Sequence, residues 1–343
     1  MRNRTRRFRT LGTIAAVALL AAACGSDDTD AETTDTDGAD TEATDTDTED
    51  GDAADDDWPE SITYAVVPGE GDEGLEEGYG GIITALEEDL GIEIEFVTAT
   101  DIAGVVESLI AGHAHLAHMG PFGYVIARDQ GAEIEPIGAT IRGPGMEPDN
   151  ASLGFTLADN DEIDSMEDLV GREVCFTDPG STTGYLYPAG EMLSLGIDPE
   201  SDMTTVFTGQ HDAAVLSVIN GDCEAGFSFL GMVTEILPAE GAIELDELKF
   251  FYEQEVESGG VYVSTQLPTS LQDALREKVV ELNGDVLYER GLCGDVWIED
   301  EGPSGAPSCR LDHAGSWGYF PVDDEYYDTL RMVCEETQAP ACD

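Results

Sequence analysis

From Ile62 onward the chain alternates short strand-like runs with stretches of helical spacing, and this order constrains the fold more than any other feature. Ile62-Thr63-Tyr64-Ala65-Val66-Val67 reads as a strand that ends at Pro68-Gly69. Tyr79 to Leu90 places Ile82, Leu86 and Leu90 on one helical face and stops at Gly91. Ile92 to Val97 alternates with period two. Asp101 caps a helix that runs to Ile110, His115 to Met119 makes a short strand, and Pro121 opens a helix to Asp129. Strand and helix in this order predict a mainly parallel sheet with helices on both faces.

A second unit begins after the Gly143-Pro144-Gly145 break. Strands are expected near Ser152–Leu157, Glu173–Phe176, Met203–Phe207 and Cys223–Phe227, with helices near 166–170, 183–195 and 213–220. Further strands near 249–252 and 260–263 and long helices over 271–288 and 324–335 close the chain. We expect an α/β protein of two lobes, with residues 148–257 inserted between 58–147 and 258–343. The ligand cleft would then lie at the strand carboxyl ends, where open α/β sheets bind ligands.

One turn stands out: Asp178-Pro179-Gly180-Ser181-Thr182-Thr183-Gly184-Tyr185-Leu186-Tyr187-Pro188. It follows the apolar run Glu173-Val174-Cys175-Phe176 and leads into a helix. Free backbone N–H groups and the positive end of a helix dipole suit an anion there, and the three hydroxyls add uncharged donors. Helix capping by Ser181 or Thr182 is the plainer reading of the same residues.

The N-terminus reads as a targeting segment. Five arginines (Arg2, Arg4, Arg6, Arg7, Arg9) precede an apolar run from Leu11 to Ala23, too short to span a bilayer comfortably. Leu19-Leu20-Ala21-Ala22-Ala23-Cys24 looks like a bacterial lipobox. That likeness implies removal of residues 1–23 and a lipid on Cys24, a tether to the outer face of the cell membrane. Simple secretion is the alternative. Residues 24–57 are Asp, Thr, Ala, Glu and Gly with almost nothing apolar, an acidic disordered linker.

The formal net charge is −60, and Lys249 and Lys278 are the only lysines. Nucleic acid is therefore excluded as a partner, since its phosphates need a positive surface. So acidic a surface suits a salt-rich habitat, where screening relieves self-repulsion. Six cysteines follow Cys24, an even number that reads as disulfides outside the cytoplasm. Near-neighbour pairing is expected: Cys293 with Cys309, Cys334 with Cys342, and so Cys175 with Cys223.

Several segments together resemble a known family. They are the helix with Tyr79, Ile82 and Leu86; then Gly112 and Gly120-Pro121-Phe122-Gly123-Tyr124; then the Ser181-Thr182-Thr183-Gly184 turn; then Gly209-Gln210-His211-Asp212-Ala213-Ala214-Val215. Over about residues 60–290 the chain is similar to the phosphate, phosphite and phosphonate substrate-binding proteins of ABC transporters, a type II branch of the two-lobed periplasmic binding proteins. The resemblance implies a hinged pair of lobes that closes on an oxyanion and delivers it to a membrane permease. It implies a monomer with no enzymatic activity and no cofactor. Ser181, Thr182 and Thr183 match the turn that holds the ligand's oxygens, and His211 matches the ligand-contacting histidine. Asp212 either accepts a proton from the ligand or caps its helix. Tyr124 and His118 are further candidates for the cleft wall.

The departures bear on the ligand. Carboxylates that would bind the ammonium of an aminoalkylphosphonate are replaced near Gly231 and Gly259, and Asp101-Ile102 stands where relatives carry an aromatic. Phosphate, phosphite or a small alkylphosphonate fits better. No basic residue falls within the two matched segments, so recognition without a cationic clamp is expected. Two other classes draw on residues of this chain. His113, His115 and His118 raise a zinc-type binding protein, although on a strand His118 faces away from the other two. Ser181, His211 and an acid could be drawn as a hydrolase triad, but no G-x-S-x-G elbow is present.

Overall fold

The computed structural model describes residues 58–67, 75–294, 298–299, 302–311, 315–337 and 342. Cys24, the leader 1–23 and the linker 24–57 lie outside the described residues. The first sheet collects β1 (Ser61–Val66), β2 (Glu93–Thr98), β3 (Leu116–Met119) and β4 (Ile134–Ile141), joined by α1 (Leu75–Leu90), α2 (Ile102–Ile110) and α3 (Pro121–Asp129). The second collects β5 (Asn150–Leu157), β6 (Glu173–Phe176), β7 (Thr204–Phe207), β8 (Ala225–Phe229) and β9 (Leu248–Val256). Its helices are α4 (Tyr187–Ser194), α5 (His211–Ile219) and α6 (Leu237–Glu240). The chain returns to the first sheet with β10 (Gly260–Ser264), followed by α7 (Thr269–Glu281) and α8 (Gly284–Arg290). The small β11 (Ile298–Glu299) and β12 (Ser308–Cys309) pair with each other; β13 (Gly318–Phe320) adds an edge to β4, and α9 (Asp328–Thr337) follows.

The local rules explain most boundaries. Asp101 caps α2, its Oδ1 accepting from the Gly104 N–H at 2.8 Å. Tyr64 and Val66 are fully buried on β1, and Ile82 and Leu86 on α1 pack into the same core. Burial at this level contributes roughly 1.5–3 kcal/mol per large apolar side chain.

The sheets are mixed, where a mainly parallel arrangement was expected. β1 runs parallel to β2 and β3, but β10 is antiparallel to both β3 and β4. The crossings between sheets explain this. A strand arriving from the other lobe starts at the cleft edge, so it runs opposite to strands that end there. Gly260 accordingly pairs with Met119 and Ala139, at the carboxyl ends of β3 and β4. By the same logic β5 is antiparallel to β8. β4 was not anticipated, and it supplies a central partner of β10. The single helix expected over 271–288 is two, because Leu282 turns extended and the Asn283 Oδ1 accepts from the Asp285 and Val286 N–H groups, capping α8.

All three expected disulfides are present: Cys175–Cys223, Cys293–Cys309 and Cys334–Cys342. The C-terminal segment also acquires a structural role. The Tyr326 hydroxyl accepts from the Ser258 N–H at 2.8 Å and donates to the Pro148 carbonyl at 3.3 Å. Those two residues lie on the two chain crossings between the sheets.

Candidate functional site

Helical turns follow β3 in the first sheet and β6, β7 and β8 in the second, and the start of α3, after β3, meets the turn after β6, where the Phe122 N–H donates to Thr182 Oγ1. The Asp178–Pro188 turn leaves β6. Asp178 Oδ1 accepts from the Gly180 N–H at 2.7 Å and the Asp178 carbonyl from the Ser181 N–H at 2.9 Å, fixing a tight bend. Burial pushes the Asp178 carboxyl up from its ordinary range, against the Gly180 and Ile102 N–H groups that pull it down. Ile102 begins α2, so this carboxylate of the second lobe faces a helix start of the first.

Beyond the bend the chain makes one wide, π-type turn over Thr182–Leu186, with the Leu186 N–H donating to the Ser181 carbonyl at 2.9 Å. Pro188 accounts for it. Its ring has no N–H and clashes with the carbonyl four residues back, that of Gly184, so the turn opens. That carbonyl accepts from the Thr177 N–H instead. Glycine is needed at 184 because a Cβ there would fall on Thr177 Oγ1 and within 2.7 Å of its Cγ2.

This local geometry sets the role of each hydroxyl. Ser181 Oγ accepts from the Gly184 N–H at 3.0 Å, so capping is real. Thr182 Oγ1 accepts from the Phe122 N–H, at the start of α3, at 2.9 Å. A hydroxyl that already accepts from a backbone N–H keeps its own proton to donate. Thr183 is held through its backbone, its carbonyl accepting from Ser152 Oγ at 2.6 Å. All three residues are at most 5% exposed. Capping and anion recognition are therefore compatible, and the Thr182 bond joins the lobes.

His211 starts α5, whose Gln210 cap makes no side-chain bond. Its Nδ1 shares a 3.0 Å hydrogen bond with Ser228 Oγ at the end of β8, and its ring meets Phe229 edge-on at 4.9 Å. Burial depresses the imidazole to a pKa of about 4, so it is neutral at neutral pH. A folded-state value below the unfolded 6.5 means that this residue's stabilisation is complete above pH 6.5. It is lost as pH falls through about 4, with a full loss of order 3 kcal/mol. The thermal midpoint of His211→Gln should therefore fall less than that of the parent between pH 6.5 and 4; parallel profiles would contradict an imidazole held neutral by its half-buried setting.

Asp212 lies in the first turn of α5, where a carboxylate favours the helix dipole. His118, two residues before Gly120, shares a 2.7 Å hydrogen bond between its Nδ1 and the Tyr79 hydroxyl. Tyr79 in turn stacks on Phe96 with centroids 5.6 Å apart. Tyr124 is placed elsewhere. It is fully buried in the first-lobe core, stacked on Tyr262 at 4.7 Å, with its hydroxyl donating to Asp324. Helix α3 turns this side chain inward, so the expectation that Tyr124 lines the cleft is corrected.

The zinc and hydrolase readings draw on side chains that the structure engages as follows. His115 Nδ1 accepts from the Thr63 N–H at 3.1 Å and His113 is exposed. Among the described residues no three His, Cys, Asp or Glu side chains form a metal-holding group. The hydroxyl paired with His211 is that of Ser228, while Ser181 is engaged as a cap. Sequence reasoning also overlooked Arg142. It directly precedes the Gly143-Pro144-Gly145 break, and its Nη1 donates to Glu235 in the second lobe at 3.1 Å.

Two α/β lobes joined by two crossings, with helix starts facing each other across a cleft, define a two-lobed ligand-binding protein. The family described as ABC transporter, phosphonate, periplasmic substrate-binding protein matches residues 64–301. The phosphate-import protein PhnD of Mycolicibacterium smegmatis is 35% identical over 335 residues, covering 96% of this chain and 95% of that protein. Among solved structures, PhnD1 of Prochlorococcus marinus in complex with methylphosphonate superposes with a TM-score of 0.68 at 15% identity, over 82% of this chain and 99% of that one. A binding component of an ABC phosphonate transporter from Pseudomonas aeruginosa gives 0.67 at 17% identity, over 81% and 86%. This chain belongs to the periplasmic substrate-binding proteins of phosphonate ABC transporters.

Proposed function

We propose that this protein captures a phosphorus oxyanion (inorganic phosphate, phosphite or a small alkylphosphonate) between its lobes and delivers it to an ABC permease. The observation that carries the reading is the hydroxyl turn. Ser181 and Thr182 each accept a backbone N–H bond and so offer their own protons, and Thr182 draws its bond from the facing lobe. Thr183 and the neutral His211 would complete the set of donors, with His118 on the opposite wall and Asp212 beside the ligand. Each hydrogen bond to a charged group contributes about 1.5–3 kcal/mol, so uncharged donors in a water-poor cleft suffice for strong binding. The relationship to a phosphate-import protein along nearly the whole chain supports phosphate within this class.

The reading makes the chain a binder rather than a catalyst, acting as a monomer whose two lobes, 58–147 with 258–343 and 148–257, close on the ligand. Calorimetry of the mature chain in high salt with phosphate, phosphite, methylphosphonate, 2-aminoethylphosphonate and sulfate tests it. One-to-one saturable binding of a phosphorus oxyanion that is recovered unchanged is the expected result. Heat from sulfate alone, or turnover of the ligand, would overturn it.

The same reading holds the protein at the outer face of the membrane through a lipid on Cys24. Among the described residues no helix is long and apolar enough to cross a membrane. Cys24→Ser should therefore move the protein from the membrane fraction to the medium, and continued retention would count against the tether.

A further inference from the structure

The segment after β13 is rooted in the first lobe and reaches the second. Asp323 caps the turn Asp324–Tyr327 that leads into α9, its Oδ1 accepting from the Glu325 N–H at 3.2 Å. Tyr327 is fully buried against Tyr124 and Tyr262, with ring centroids 4.9 Å and 5.9 Å away. The Tyr124 hydroxyl donates to Asp324, and Arg331 pairs with the same carboxylate. These contacts fix the segment to the first lobe.

Two side chains of the segment then leave that lobe. The Tyr326 hydroxyl holds both crossings, accepting from the Ser258 N–H and donating to the Pro148 carbonyl. Leu330, fully buried, shares one apolar core with Phe122 and Val125 of α3 and with Leu186 and Tyr187 of the second lobe. Helix α9 accordingly packs on α3 of one lobe and α4 of the other. Tyr187 carries this contact to the hydroxyl turn. Its N–H donates to the Thr182 carbonyl, and its hydroxyl donates to Glu257 Oε2, between β9 and β10, at 2.7 Å.

We propose that Asp323–Thr337 is a clasp that favours the closed arrangement of the lobes and so sets ligand affinity from outside the ligand site. Carrying α4 away from α9 would return Leu186, Tyr187 and Leu330 to water, so their burial favours the state in which the lobes meet. The disulfide Cys334–Cys342, half-buried against the same core, staples the far end of α9. Apparent affinity falls in proportion to the binding-competent fraction, so loosening the clasp weakens binding while every ligand contact stays intact. The inference deepens the phosphorus-oxyanion reading above and rests on it only where ligand is titrated.

One amide reports closure without any ligand. The Phe122 N–H lies in the first turn of α3, where it has no acceptor within the helix, and it donates across the lobes to Thr182 Oγ1. Hydrogen exchange of the ligand-free mature chain therefore reads closure at Phe122, with the α1 amides as the measure of overall stability. Tyr326→Phe keeps the ring and removes the hydroxyl. It should speed Phe122 exchange roughly fivefold, the effect of one ordinary hydrogen bond, and leave α1 unchanged. The calorimetric Kd for phosphate should rise by a similar factor, and Leu330→Ala should move both readouts further. A Phe122 rate equal to the parent's in both variants, or an acceleration shared equally by α1, would overturn the clasp. A parent protein that binds no phosphorus oxyanion would overturn the functional reading, and the exchange rates would still decide the clasp.

Discussion

Thr182→Val should weaken phosphate binding by roughly 10- to 150-fold, the effect of losing one hydrogen bond to a charged group worth about 1.5–3 kcal/mol. Valine matches threonine in shape, so the cavity is unchanged and the hydroxyl alone is removed. The loss is twofold in kind. The ligand loses a donor, and the Phe122 N–H loses its acceptor in the second lobe. That second loss also loosens the contact between the lobes. Thr182→Ser keeps both functions and should stay within a few fold of the parent by calorimetry. Equal affinity of the valine variant and the parent would remove Thr182 from the site.

Gly184→Ala should have a large effect for a single methyl group. The added Cβ would fall on Thr177 Oγ1 and within 2.8 Å of Thr177 Cβ, and both residues are buried. Overpacking of this kind costs about 1–3 kcal/mol. The strain falls on the turn that aims Ser181 and Thr182, so binding should drop with stability. The relief variant is Gly184→Ala with Thr177→Gly, which empties the space that the methyl needs. Thermal melting and phosphate titration should both recover part of the loss in the double variant. A single variant that melts and binds like the parent would show that the turn does not depend on this close approach.

Much of this protein was legible in the sequence because its signals are local. Asp101 before an apolar helix, Pro121 at a helix start and the Ser181–Gly184 turn each act within one turn of chain, and the structure places elements there. The cysteine pairing was legible because near neighbours close short loops. What was not legible depends on contacts between distant segments. β4 and β10 run antiparallel because the chain crosses lobes, which no local pattern records. Tyr124 carries the same residue type as a cleft aromatic, and only the packing of α3 against Tyr262 and Tyr327 turns it inward. Arg142 and Glu235 are 93 positions apart, and no local pattern records that they pair across the lobes. The Tyr326 hydroxyl bridges Pro148 and Ser258, so the C-terminal segment bears on the crossings, a contact between distant residues.

The electrostatic setting is unusual for an anion binder. The surface is strongly acidic, which slows the approach of an anion, and salt shortens the range of that repulsion. In the proposed site the donors are hydroxyls and an imidazole that burial holds neutral, near pKa 4. The proposal thereby separates the two problems, leaving the chain acidic overall while recognition of the anion falls to uncharged donors at short range.

The most direct test is a crystal structure of the mature chain with a bound phosphorus oxyanion. The account predicts ligand oxygens within hydrogen-bond distance of the Ser181, Thr182 and Thr183 hydroxyls and of the His211 Nε2, between the closed lobes. A fully occupied oxyanion held elsewhere, with those four groups turned away from it, would contradict the account.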